Sequence, residues 1–74
     1  MASLTSRQET ILHYRAHGYG NKEITKLMWI SLGTVKMQSA SIFQRLGAQN
    51  MCDAIRIAYE RGILPLAREE EGVA

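Results

Sequence analysis

Apolar residues recur along the chain at intervals of three and four, with no alternating stretch, which predicts amphipathic helices and no strand. Ile11, Leu12 and Ala16 mark a first helix, and Ile24, Leu27 and Met28 a second. Val35, Ile42 and Leu46 mark a third, and Ala54 and Ala58 the inner side of a fourth. The residues between these runs punctuate helices as well. Thr5 followed by Gln8 has capping-box spacing, in which the hydroxyl accepts from a free backbone N–H while the amide reaches back. Gly18 can take the left-handed conformation that ends the first helix. Asn21 is the candidate cap of the second helix, and Ser31 that of the third after Trp29 and Ile30 alone. Gly47 ends the third helix; Asn50 with Asp53 opens the fourth, Gly62 closes it, and Pro65 blocks continuation. The pattern predicts an all-α domain of four helices, about 8 to 15 residues each, joined by tight turns.

Seventy-four residues make one domain with a thin margin of stability. We place it over residues 1–66, with 67–74 as a disordered acidic tail that holds Glu69, Glu70 and Glu71. The whole chain carries a net charge of +2, but outside that tail eight basic groups face four acidic ones. A basic body is compatible with a polyanionic partner without demanding one. Cys52 stands alone, so no disulfide closes within the chain; the fold rests on packing, as suits a reducing cytoplasm, and Cys52 is expected to be a small buried apolar group. No apolar run approaches the roughly 20 residues of a membrane span, and the N-terminus lacks the regions of a signal peptide. His13 and His17 have the spacing of two ligands on one helical face, but no third ligand cluster accompanies them, so no metal is expected. With no phosphate-binding glycine loop and no paired carboxylates, neither an enzyme nor a cofactor is expected.

Residues 21–46 pair a short helix with a longer one across the turn at Trp29-Ile30-Ser31, the layout of a helix-turn-helix. In that geometry the second helix enters the DNA major groove with its N-terminal half while the first crosses the backbone. The outward positions of the second are Lys36, Met37, Ser39, Ala40 and Gln44, mostly small or polar groups that can approach base edges. A short-turn helix pair alone is also what an ordinary packed hairpin looks like.

Several blocks together are more specific. Leu4-Thr5-Ser6-Arg7, Gly18-Tyr19-Gly20-Asn21-Lys22-Glu23-Ile24, Ile30-Ser31-Leu32-Gly33-Thr34-Val35-Lys36 and Leu46-Gly47-Ala48, in this order and spacing, resemble the LuxR/GerE-type DNA-binding domain from about Leu4 to Leu64. The resemblance implies a four-helix LuxR-type helix-turn-helix fold, double-stranded DNA as the partner, and a promoter as the target. It implies phosphate contacts for Lys22 and Thr34, the latter beside Ser31 at a helix N-terminus that favours anions. It turns Lys36 and Met37 toward the groove, with Ser39 and Ala40 beside them, and matches Arg45 to a basic position near the helix end. The chain also departs from the family: Gln38 stands where histidine is usual, Ala40 where several members place a cation, and Arg15 where an aliphatic residue is usual. Lys36 and Arg45 are the only cations between Leu32 and Gly47, which shifts weight from base readout to phosphates and DNA shape.

The fourth helix has more apolar surface than one core needs. Ala54 and Ala58 can serve the core, leaving Met51, Cys52, Ile55 and Tyr59 for a second copy, as the family pairs through its last helix. Cover by the chain's own Ile63, Leu64 and Leu66 is the competing use. Two functions remain open: a stand-alone regulator binding a pseudo-palindromic site as a homodimer, or a modulator pairing through this helix with a larger LuxR-type regulator. The start at Met1 and the acidic end fit a complete small protein; a fragment is the alternative.

Overall fold

The computed structural model describes residues 3–66, so the acidic 67–74 segment lies outside the described residues. Four helices follow in order and no strand occurs among the described residues: α1 (Ser6–Ala16), α2 (Asn21–Met28), α3 (Leu32–Leu46) and α4 (Met51–Glu60). The all-α fold is as the apolar spacing predicts.

The N-termini are set by local chemistry. At α1 the capping box is complete, with Gln8 N donating to Thr5 Oγ1 and Thr5 N to Gln8 Oε1, both at 3.1 Å. Ser31 and Asn50 accept from Thr34 N at 3.1 Å and from Asp53 N at 2.9 Å. Each such cap contributes about 1 kcal/mol. At α2 the boundary falls one residue early. Gly20 is the cap and Asn21 the first helical residue; Gly20 N donates to Glu23 Oε1 at 2.7 Å, the one half of a capping box that a glycine cap can form.

The C-termini share one solution. A left-handed residue follows each helix, namely Gly18, Trp29, Gly47 and Gly62 with φ of 90°, 58°, 68° and 77°. The next N–H then reaches back five residues: Tyr19 to Tyr14 O, Ile30 to Thr25 O, Ala48 to Phe43 O and Ile63 to Ala58 O, at 2.8–3.2 Å. Three of the four ends use glycine; α2 uses tryptophan.

Helix α3 packs against each of the other three helices, so the core forms around its inner face. Val35, Ile42 and Leu46 of α3 are buried with Ile11 and Leu12 of α1. Helix α2 anchors through Ile24, its one fully buried side chain, whose burial contributes roughly 1.5–3 kcal/mol, with Met28 half-buried against the same core. Leu27, expected inward with Met28, is exposed, while Met28 beside it takes the core contact. Ala54, Ile57 and Ala58 bring α4 in, and Leu64 and Leu66 fold back into the same cluster. Of the residues expected to cover α4, Leu64 and Leu66 are buried in the core cluster and Ile63 is half-buried against it. The described residues span 30 × 28 × 20 Å.

Candidate nucleic-acid interface

With Val35, Ile42 and Leu46 committed to the core, the 3.6-residue period turns positions 33, 36, 37, 40 and 44 of α3 to the opposite side. Lys36, Met37, Ala40 and Gln44 are all exposed there, Met37 to 64%. No acidic residue occurs anywhere on α3. Gly33 sits on this surface too; a Cβ there would meet nothing closer than Ser31 Oγ at 3.9 Å, so intramolecular packing does not require glycine.

The start of α3 forms a small polar cluster. Ser31 Oγ lies 2.9 Å from Thr34 Oγ1 and caps Thr34 N, which places two hydroxyls beside the positive end of the helix dipole. Ser31 is exposed and Thr34 half-buried. Lys22 is exposed in the first turn of α2, and Lys26 lies four residues on along the same helical face, a second cation that the motif comparison passed over. Lys22, Lys26 and Lys36 have no ion-pair partner among the described residues. Three of the four acidic groups among the described residues are engaged elsewhere: Glu23 in the α2 cap, and Asp53 and Glu60 with Arg56 at 2.6 and 2.9 Å. Arg56 and the backbone N–H of Gln49 hold the Asp53 carboxyl below its ordinary range.

Two expected contact residues are turned to other partners. Ser39 Oγ donates to Val35 O at 2.9 Å, so its hydroxyl folds onto its own helix. Arg45 Nη1 donates to Ser3 O at 2.6 Å, which ties the guanidinium to the segment before α1. Lys36 is then the one cation of α3 without a partner among the described residues. Gln38, noted only as a departure from the family, turns out to be structural: its Oε1 accepts from Gln8 Nε2 at 3.0 Å. That contact spans thirty residues, and no local pattern could have shown it.

On α4, Cys52 is exposed rather than buried, because the α4 positions that meet the core are Ala54, Ile57 and Ala58. Tyr59 is 49% exposed, while Met51 and Ile55 are half-buried along the core edge. These four residues share one side of α4, beside the Asp53–Arg56–Glu60 row. The His13 and His17 rings lie 4.3 Å apart between centroids and tilted by 52°, and no group of three His, Cys, Asp or Glu that could hold a metal occurs among the described residues.

The model of the bacterial regulatory proteins, luxR family, matches residues 2–58. The chain belongs to that family. It is 41% identical over 59 residues to the uncharacterized transcriptional regulatory protein YvfU of Bacillus subtilis, covering 80% of this chain and 30% of that protein. It is 34% identical over 61 residues to the Fimbriae Z protein of Salmonella typhimurium, covering 82% and 29%. The chain thus spans about 30% of the length of these LuxR-family relatives. Among solved structures, VqmA of Vibrio cholera in complex with ligand and DNA superposes with a TM-score of 0.76 at 28% identity, over 85% of this chain and 28% of that one. The phage VqmA–DPO complex superposes at 0.79 with 24% identity, over 95% and 32%, which supports the fold alone. The LuxR-type helix-turn-helix therefore comprises α2, the turn at Trp29-Ile30-Ser31 and α3. No helix among the described residues is long and apolar enough to cross a membrane.

Proposed function

We propose that this LuxR-family chain binds double-stranded DNA as a transcription regulator, with α3 in the major groove. The observation that carries the reading is the acid-free outer side of α3, where Lys36, Met37 and Ala40 stand exposed and nothing in the described chain covers them. The DNA in the complex of the VqmA relative supports it. Lys22, Ser31 and Thr34 would hold phosphates, Lys36 would donate to a guanine or a phosphate, and Met37 would meet a thymine methyl. Ser39 and Arg45 would contribute only after giving up the bonds to Val35 O and Ser3 O. We further propose a homodimer through Met51, Cys52, Ile55 and Tyr59 of α4, matched to a pseudo-palindromic site. A single module of this size with few cations gains little from one half-site, so pairing would supply the missing affinity.

Selection from random duplexes followed by binding titrations at several salt concentrations tests the reading. The expected result is a selected site whose log K falls with log salt at about −0.9 per phosphate contacted. Lys36→Ala and Thr34→Ala should each weaken binding about ten-fold, converting the cost of one charge-assisted bond. No selected site, together with a stable complex between this chain and a full-length LuxR-type regulator, would instead favour the pairing of α4 with that larger protein.

A further inference from the structure

The polar chain that begins at the α1 cap fixes which end of Gln38 the protein presents. Thr5 N can only donate, so the Gln8 atom 3.1 Å from it must be the carbonyl oxygen Oε1. Gln8 is buried to 3% exposure, so a reversed amide would bury donor against donor without water to relieve it. Its Nε2 therefore points the other way, to Gln38 Oε1 at 3.0 Å and Ser41 Oγ at 3.1 Å. Both of those atoms must accept. Gln38 is half-buried, its carbonyl is turned inward to Gln8, and its Nε2 has no partner among the described residues. It stands one turn beyond Thr34, on the flank of α3 that faces α1.

Resting on the DNA-binding reading above, we propose that Gln8 acts as a positioning residue that makes Gln38 an obligate hydrogen-bond donor to an acceptor oxygen of the duplex. A free glutamine reads adenine with its oxygen and nitrogen together, accepting from N6 and donating to N7. With Gln38 Oε1 aimed at Gln8, the amide leads outward with its NH2 rather than with the oxygen–nitrogen pair. What remains matches groups that only accept: a backbone phosphate oxygen, or the O6 and N7 edge of guanine. The flank shared with Thr34 favours the phosphate, since helix edges meet the rails of the groove. The residue that caps α1 thus also selects the chemistry offered at the edge of α3.

The test exploits the polarity of the relay. Gln8→Glu keeps the cap, because a carboxylate still accepts from Thr5 N, but it cannot donate to Gln38. The Gln38 amide must then turn its Nε2 inward and present an oxygen to the DNA. The expected result is a loss of duplex affinity of about ten-fold or more in the folded variant, although residue 8 touches no DNA. Gln38→Ala should cost a similar factor, and the double variant no more than either alone. In side-chain amide spectra of the unmodified protein, the Gln8 NH2 should exchange slowly without DNA, and the Gln38 NH2 should become protected only on the duplex. A merely structural role for Gln8 would not move that second signal. Loss uniform over all duplex sequences marks a phosphate acceptor, and loss confined to sites with guanine at one position marks the base edge. Should Gln8→Glu not fold, Gln38→Ala alone decides. Wild-type affinity in Gln38→Ala, or in a folded Gln8→Glu, or losses that add in the double variant, would overturn the relay. Unmodified protein that binds no duplex would sink the DNA-binding reading itself, a distinguishable failure.

Discussion

Trp29 ends α2 in the left-handed conformation at φ 58° and ψ 44°, while its side chain is 92% exposed. A residue with a Cβ pays about 1–2 kcal/mol for that conformation, and burial here returns almost nothing. The other three helix ends place glycine at the equivalent position. Trp29→Gly should therefore raise stability by a few tenths to about 1 kcal/mol, after the larger unfolded-state freedom of glycine is subtracted. For a domain this size, a gain of that order is a rise in Tm of several degrees, and thermal unfolding would read it. An unchanged or lower Tm would mean that the indole holds the turn in some other way. Single residues show well what was legible in the sequence. The Thr5–Gln8 cap could be read from spacing, because both partners lie within one turn. The second role of Gln8 could not, because Gln38 and Ser41 reach it only after α1 and α3 have packed.

Helix identity followed from periodicity, and helix faces followed less completely. Helix α3 met every expectation for its inner side, since Val35, Ile42 and Leu46 fill a stripe that neighbours surround on three sides. In α2 the core contact goes to Met28 and Leu27 stands exposed, and the cap falls at Gly20, whose N–H bonds to Glu23, rather than at Asn21. In α4 the apolar excess divides: Ala54, Ile57 and Ala58 go to the core, and Cys52 and Tyr59 face outward with Met51 and Ile55 half-covered. Ile55 packs against the core, so a charge there would damage the fold as well as any pairing surface. Tyr59→Glu is the cleaner probe. It should leave the helical spectrum intact while shifting the sedimenting species from dimer to monomer and weakening binding to a two-half-site duplex. A sedimentation mass unaltered by Tyr59→Glu would remove α4 as the pairing surface.

In the molecule as a whole, three helices serve to hold one helix at the surface. Helices α1 and α4 pack against α3 from within, α2 buttresses its start, and the Gln8 amide joins the cap of α1 to the middle of α3. The four helices and the family were legible because local caps, turns and apolar spacing agree with one another. The engagement of Ser39 and Arg45 with the protein itself was not, since an exposed-looking position says nothing about where a flexible polar side chain finds its partner. On the reading proposed above, the groups this scaffold would offer to DNA are the Ser31–Thr34 cluster, Lys36, Met37, Ala40, the Gln38 amide and the cations of α2. Amide resonances followed during titration with a selected duplex test this most directly. The account predicts that Lys22, Thr34, Lys36, Met37 and Ala40 shift and gain protection while Val35, Ile42 and Leu46 do not lead the change. Perturbations centred on α4 or on the α1 surface, with the outer side of α3 silent, would contradict it.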